Sequence, residues 1–183
     1  MHDMTAAHLR SAFGGESMAY MRYLVWGEKA ESDGFANVGR LFVAISAAER
    51  VHATNHFKCL RDEGGAFLVA SGGGFGFGAT SDNLAGGIEG EDFEVREMYP
   101  AYLEVARSQG EKDAERSFQY ALEAEKIHRD MYQAAKTAVD GGEDLALGPV
   151  HICKVCGHTV EGDEPPGACP ICGAKREAFM TFG

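Results

Sequence analysis

The chain has 183 residues, of which 45% are hydrophobic and 25% charged, as is typical of a soluble globular protein. Its formal net charge of −11 argues against nucleic acid or an anionic membrane as the main partner. The sequence contains no run of about 18 apolar residues, so no transmembrane helix is expected. The first 15 residues lack the basic start and apolar centre of a signal peptide, so a cytoplasmic protein is expected.

The first part of the chain predicts two helices joined by a tight turn. Residues 5–31 are rich in Ala, Leu, Met and Glu, and residues 35–63 carry apolar residues at helical spacing. The sequence SDG between them is a turn signal. The stretch GGAFLVASGGGFGFGATSDN follows, and it lacks the Gly-Lys-Ser/Thr ending of a phosphate-binding loop. We interpret it as a flexible crossover between two helical hairpins.

Two further helices are predicted after the crossover. The third runs to about Gln109, and Pro100 should kink it because a proline inside a helix has no N–H to donate. The fourth covers 112–139, where Ala, Glu and Lys are frequent and helix breakers are few. Three consecutive residues are candidate caps for the start of the third helix: Thr80, Ser81 and Asp82.

Four of the five cysteines form two Cys-x-x-Cys pairs near the C-terminus. This spacing predicts a tetrahedral four-sulfur site built from Cys153, Cys156, Cys169 and Cys172. Zinc in a structural ribbon and a single iron acting as a one-electron carrier both fit such a site, and taken alone the pattern slightly favours zinc. Because the composition changes here, we expect a bundle over 1–140, a linker over 141–149 and a small domain over 150–183.

Carboxylates and histidines recur on one face of the predicted helices. Glu49 and His52 lie three residues apart on the second helix, and Glu125 and His128 repeat this spacing on the fourth. Residues at i and i+3 share a helix face, so each pair can converge on one point. The remaining candidates are one glutamate on the first helix and a pair on the third: Glu16, Glu91 and Glu94.

The turn positions place these residues at one height in the bundle. Glu16 lies 17 residues before Asp33 and Glu49 lies 16 after it, and the glutamates of the second hairpin are centred beside Gly110. At about 1.5 Å per residue, the shared level lies roughly 25 Å from each turn. A single Glu-x-x-His motif usually lies on an exposed helix face. Carboxylates clustered in a core, however, require compensating cations. Two bridged irons would provide them.

Two other residues near this level are less informative. His56 follows His52 by one helical turn on a similar face, and a core or supporting position is expected for it rather than metal ligation. Cys59 stands apart from the paired cysteines and is expected to be a buried small hydrophobe.

The sequence resembles the rubrerythrin family over nearly its whole length. The resemblance rests on GES at Glu16, on ERVH, NLAGGIEGEDFE…EMYP and EKIH, and on CKVCG…CPICGA. It implies a mainly α protein, a ferritin-like four-helix bundle followed by a small rubredoxin-like metal-bound β/loop domain. It also implies a di-iron peroxidase that reduces hydrogen peroxide to water in oxidative stress defence. Beside such a bundle, iron becomes the expected metal of the four-sulfur site, with zinc as the alternative.

The resemblance further implies the role of each ligand. Glu49 and Glu125 would bridge the two irons, Glu16 would bind one iron, and Glu91 with His128 would bind the other. His52 and Glu94 would be the pair that exchanges when the redox state changes. Tyr23 and Tyr99 match positions close to the irons. The family implies a homodimer in which electrons cross between subunits. A reductase or a rubredoxin would supply those electrons.

Three other functions stay open at this point. A ferritin-like protein could oxidise or store iron with the same ligands, and dioxygen could replace peroxide as the oxidant. A helical interaction module with a structural zinc ribbon would carry out no redox chemistry and would be colourless.

Overall fold

The computed structural model describes residues 1–183. Its first helical hairpin consists of α1 (Asp3–Ser32) and α2 (Ala36–Cys59), and Gly34 in the turn takes φ +94°, a conformation open to glycine. The predicted ends of the first helix agree within two residues. The second helix was expected to reach residue 63, but beyond Cys59 the backbone N–H groups bond three residues back, in turns.

The second hairpin contains α3 (Thr80–Phe93), a π-helical turn (Glu94–Met98), α4 (Tyr99–Ser108) and α5 (Lys112–Asp140). The third predicted helix is therefore divided in two. The wider π-helical turn comes shortly before Pro100, where the chain has no N–H to continue the regular hydrogen-bond ladder.

The start of α3 is capped from another part of the chain. Its N-cap position is Ala79, and the three predicted capping side chains make no cap hydrogen bond there. The amide and hydroxyl of Thr80 instead donate to the carboxylate of Asp33, at 3.2 and 2.8 Å. The turn of the first hairpin thus caps the second hairpin.

The bundle core consists of two apolar blocks with a polar layer between them. One block lies towards the Asp33 turn and includes Trp26, Phe42 and Tyr132. The other lies towards the opposite end and includes Leu9 and Phe118. No helix has a segment that is both long and apolar enough to cross a membrane.

The C-terminal part is a three-stranded antiparallel sheet of β1 (Val150–Cys153), β2 (Thr159–Glu161) and β3 (Phe179–Phe182), in the order β2–β1–β3. Its central strand packs on α2, because Val150 and Ile152 form one buried cluster with Ala44 and Ala48. The expected mainly α bundle with a small β/loop domain is confirmed.

Candidate metal centres

Six of the seven predicted bundle ligands meet in the polar layer, and each is at most 2% exposed. They form two groups of four whose ligand atoms lie within 4.8 Å of one another. The first group is Glu16, Glu49, His52 and Glu125; the second is Glu49, Glu91, Glu125 and His128. The two glutamates common to both groups lie where ligands shared by neighbouring cations would be.

Glu94 is the one candidate outside both groups. It is partly exposed and begins the π-helical turn. A Cβ atom added to Gly15 of α1 would lie 4.0 Å from its Oε1 atom, so the carboxylate borders the layer from the side. Although part of the residue is exposed, burial of its carboxyl group raises its pKa, and the charges of Glu125 and Glu49 raise it further.

The donor set fits divalent cations. Buried carboxylate oxygens without a hydrogen-bond partner belong to four residues of the layer: Glu16, Glu49, Glu91 and Glu125. A buried oxygen of this kind is costly unless something positive binds it. The Nδ1 atoms of His52 and His128 lie 2.7 and 2.6 Å from oxygens of Glu125, so nitrogen and oxygen donors face the same space.

The titration behaviour of the layer gives the same conclusion. Burial raises the pKa of Glu16 and of Glu91, and neighbouring carboxylates raise both further. Burial lowers the pKa of His52 and His128, but the charges of Glu125 and Glu49 outweigh it and raise these pKa values to about 10 and about 9. Without a metal, protons on the imidazoles supply the positive charge that the layer requires.

The small domain fixes the orientation of His128. Its Nε2 atom lies 2.8 Å from the hydroxyl of Thr159 in β2, and that hydroxyl donates to the carbonyl of Gly157 at 3.1 Å. Since the hydroxyl has one proton, Nε2 must be the donor, which leaves Nδ1 as an acceptor for a metal. Nothing in the sequence singled out Thr159.

Two buried tyrosines hold the outer glutamates. Tyr23 donates its hydroxyl proton to Oε1 of Glu91 at 2.6 Å, and Tyr99 donates to Oε1 of Glu16. Both phenols are at most 1% exposed. The structure thus places the two tyrosines of the resemblance in direct contact with predicted ligands.

The four cysteines of the small domain also converge. Two sulfur pairs are 3.6 and 3.5 Å apart, Cys153 with Cys172 and Cys156 with Cys169. Bonds of about 2.3 Å in a tetrahedron would separate sulfurs by about 3.8 Å, so the site is nearly formed. The Cys156 thiol lowers the pKa of Cys153 to about 5, and backbone N–H groups add to this effect.

The two sites lie against each other. Gly157 follows the first cysteine pair with φ +80°, and a Cβ atom there would collide with the imidazole of His52. Nε2 of His52 is buried and has no hydrogen-bond partner. Through Gly157 and Thr159, the sulfur domain therefore contacts both histidines of the polar layer.

Comparisons with known families and proteins match both parts of the chain. Residues 8–136 match the family description Rubrerythrin, and residues 151–180 match Rubrerythrin, rubredoxin-like domain. The chain is 52% identical to Rubrerythrin-2 of Clostridium acetobutylicum, over 98% of this chain and 97% of that protein. It is 32% identical to Rubrerythrin of Nitratidesulfovibrio vulgaris, over 98% and 94%.

Solved structures agree with this match. Nigerythrin in its fully reduced, all-ferrous state superposes with a TM-score of 0.84 at 29% identity, covering 97% of this chain and 86% of that one. The predicted ferritin-like bundle with a rubredoxin-like domain is confirmed, as is the combination of a di-iron carboxylate and histidine site with a four-cysteine site.

Proposed function

The chain belongs to the rubrerythrin family, and from this premise we propose that it is a non-haem di-iron peroxidase that reduces hydrogen peroxide to water in oxidative stress defence. One observation carries the proposal. The four-cysteine site and the carboxylate layer of one chain are in contact, through Gly157 and His52. A one-electron carrier placed against a di-metal layer is suited to reloading that layer after each turnover.

We assign the ligand roles as the resemblance implies them. Glu49 and Glu125 would be shared by the two irons, and their membership of both ligand groups supports this. Glu16 would hold one iron and Glu91 with His128 the other, and His52 and Glu94 would be the pair that exchanges with redox state. Two bound ferrous irons would supply the two electrons for cleavage of the O–O bond, and an iron on the four sulfurs would return electrons one at a time.

The chain's own residues prepare the layer for this reaction. Tyr23 and Tyr99 hold the outer glutamates in fixed orientations through their hydroxyl groups. The apolar blocks on either side keep bulk water away from the carboxylates, which strengthens every charge interaction between them.

We propose that electrons pass within one chain, whereas the resemblance implied passage between subunits. The contact of Gly157 with His52 supports the route within the chain. We keep the homodimer as part of the proposal. Large apolar side chains exposed on the outer faces of α1 and α2 support it: Met21, Val25, Val43 and Phe57. A reductase or a rubredoxin remains the proposed electron donor.

We also propose the division into a bundle over 1–140, a linker over 141–149 and a sulfur domain over 150–183. The linker forms a hydrogen bond with the start of α2, where the carboxylate of Asp144 accepts from the backbone N–H of Asn37 at 2.8 Å. We place the protein in the cytoplasm, because its four thiolates must remain reduced to hold a metal.

Cys153→Ser tests the function directly. We expect this variant to lose the colour of the sulfur site and steady-state turnover with an external reductant, while a chemically reduced bundle still reacts once with peroxide. Cys59→Ser is the matched control, since this cysteine lies outside the sulfur cluster. Steady-state activity that survived Cys153→Ser would refute electron entry through the small domain. A colourless protein containing mainly zinc, rather than about three irons per chain, would favour a structural ribbon.

A further inference from the structure

A chain of hydrogen bonds joins the polar layer to the protein surface. It contains His56, which is 0% exposed and is not among the metal ligands. The Nδ1 atom of His56 lies 2.9 Å from the hydroxyl of Ser117, and Nε2 lies 3.0 Å from the hydroxyl of Tyr99. Tyr99 in turn donates to Glu16. Both ring nitrogens of this fully buried imidazole therefore have a hydrogen-bond partner, one on the side of the polar layer and one on the side of the surface.

The outer end of this series of hydrogen bonds, at Ser117, reaches solvent. Ser117 is 5% exposed and lines a surface cleft of about 270 Å³ between the bundle and the sulfur domain. The same cleft is lined by Lys58, Arg116 and Cys59. Water in the cleft can hydrogen-bond the Ser117 hydroxyl, whereas Tyr99 and Glu16 have no exposed surface of their own.

We propose that Ser117, His56 and Tyr99 form a proton relay that carries protons from the cleft to the Glu16 side of the polar layer. The relay rests on the proposed peroxidase function. Reduction of one hydrogen peroxide to two waters takes up two electrons and two protons. The electrons come from the two metal sites, and the relay supplies protons from solvent.

The donor and acceptor inventory sets the direction of the relay. As a metal ligand, Glu16 is a carboxylate and can only accept, so the single proton of Tyr99 points towards it. The Nε2 atom of His56 must then donate to the tyrosine oxygen. In a neutral imidazole this leaves Nδ1 to accept from Ser117. Every hydrogen bond in the chain thus points inward, from the cleft to the layer.

Each passage conserves bonds and charge. Tyr99 passes its proton to the carboxylate of Glu16 and receives the Nε2 proton, Nδ1 takes the proton of Ser117, and the serine oxygen takes one from a hydronium ion in the cleft, which is left as water. One O–H or N–H bond forms for each that breaks, and His56 is neutral before and after. The ring is left with its proton on Nδ1, and the Nε2–H tautomer must be regenerated by proton exchange before the next passage.

The first measurement does not depend on catalysis. Full-length protein loaded with zinc, which has no redox chemistry, is labelled at the tyrosine Cζ with ¹³C and transferred to D₂O. Exchange of each hydroxyl proton is followed by its isotope effect on that carbon. Tyr132 is the internal reference, because its buried hydroxyl has no hydrogen-bond partner. We expect the hydroxyl of Tyr99 to exchange faster than that of Tyr132.

Variants then test each member of the relay. Ser117→Ala and His56→Leu should slow exchange at Tyr99 by at least about tenfold and leave Tyr132 unchanged. Ser117→Thr keeps the hydroxyl and should restore exchange. Ser46→Ala is the matched control, because Ser46 is also buried but bonds only to the carbonyl of Val43. Unchanged exchange at Tyr99 in both Ser117→Ala and His56→Leu would overturn the relay.

The second measurement is the single reaction of reduced, iron-loaded protein with peroxide. We expect Ser117→Ala to slow it on the order of 10²-fold with metal content unchanged, and Ser117→Thr to restore it. If Ser117→Ala slowed hydroxyl exchange at Tyr99 but not the reaction with peroxide, proton delivery by the relay would be overturned. A wild-type protein that shows the expected exchange but does not consume peroxide would refute the proposed function, while the proton path would stand.

Discussion

A side chain at Gly157, even a single methyl group, would push the sulfur domain away from the polar layer. The residue has φ +80°, and a Cβ there would strike the imidazole of His52. We predict that Gly157→Ala lowers the melting temperature and slows electron passage from the sulfur site to the bundle. Two effects add in this variant: the strain of a positive φ, about 1 kcal/mol for alanine, and displacement of the small domain from the layer. Calorimetry and the rate of bundle reduction measure them.

Gly173 provides the control for this prediction. It follows the second cysteine pair with nearly the same backbone angle, φ +74°, but a Cβ there meets no atom within 4 Å. Gly173→Ala should carry the backbone strain alone and leave the reduction rate unchanged. Equal slowing of bundle reduction in the two variants would show that the contact with His52 does not matter for electron passage.

The charged residues of the polar layer predict that the stability of the metal-free protein depends on pH. The folded-state pKa of His52 is raised to about 10, above the unfolded value of about 6.5. Its stabilising contribution is therefore complete below pH 6.5 and lost as the pH rises towards 10. The cost of His52→Gln in metal-free protein should shrink by up to about 1.4 kcal/mol per pH unit over that window. Urea unfolding at several pH values measures it.

Two comparisons complete this test. The pKa of His8 is lowered by burial, so well above pH 6.5 this residue is neutral in both states, and the effect of His8→Gln should stay constant there. Metal reverses the trend for His52, since an imidazole must lose its proton to bind metal, so with saturating zinc His52→Gln should cost more as the pH rises. A cost in metal-free protein that grew with pH would contradict the assignment.

The start of α3 gives a second prediction at the level of elements. Asp33, in the turn between α1 and α2, accepts from both the amide and the hydroxyl of Thr80. Asp33→Ala removes this cap and should lower the melting temperature by several degrees. Ser81→Ala should have little effect, because Ser81 bonds only to the side chains of Lys136 and Asp140 near the end of α5 and does not cap α3. Equal shifts in the two variants would show that the cap contributes little.

At the scale of the molecule, the sequence was sufficient for the parts that follow local rules. Helical spacing predicted that Glu49 and His52 share a face, and the distances from Asp33 predicted that Glu16 joins them. The sulfur site followed from the spacing of its cysteines. In each case the geometry depends on a few neighbouring residues or on one turn, which is why it could be derived.

Long-range packing determined what the sequence could not predict. The position of the sulfur domain depends on Val150 meeting Ala44 on α2, and only this docking brings Gly157 to His52 and Thr159 to His128. The relay has the same origin. The spacing of His52 and His56 indicated a shared face, but the partners of His56 come from α4 and α5, which no local pattern identifies.

Peroxide as the oxidant is the central part of the proposed function, and one measurement tests it directly. Fully reduced protein is mixed by stopped flow with hydrogen peroxide or with dioxygen, and the return of the ferric absorption bands is followed. Two ferrous ions hold the two electrons that cleave one peroxide, whereas reduction of dioxygen to water takes four. We predict that the bands return much faster with hydrogen peroxide. A faster return with dioxygen would contradict the proposed peroxidase function and identify an oxidase or a ferroxidase.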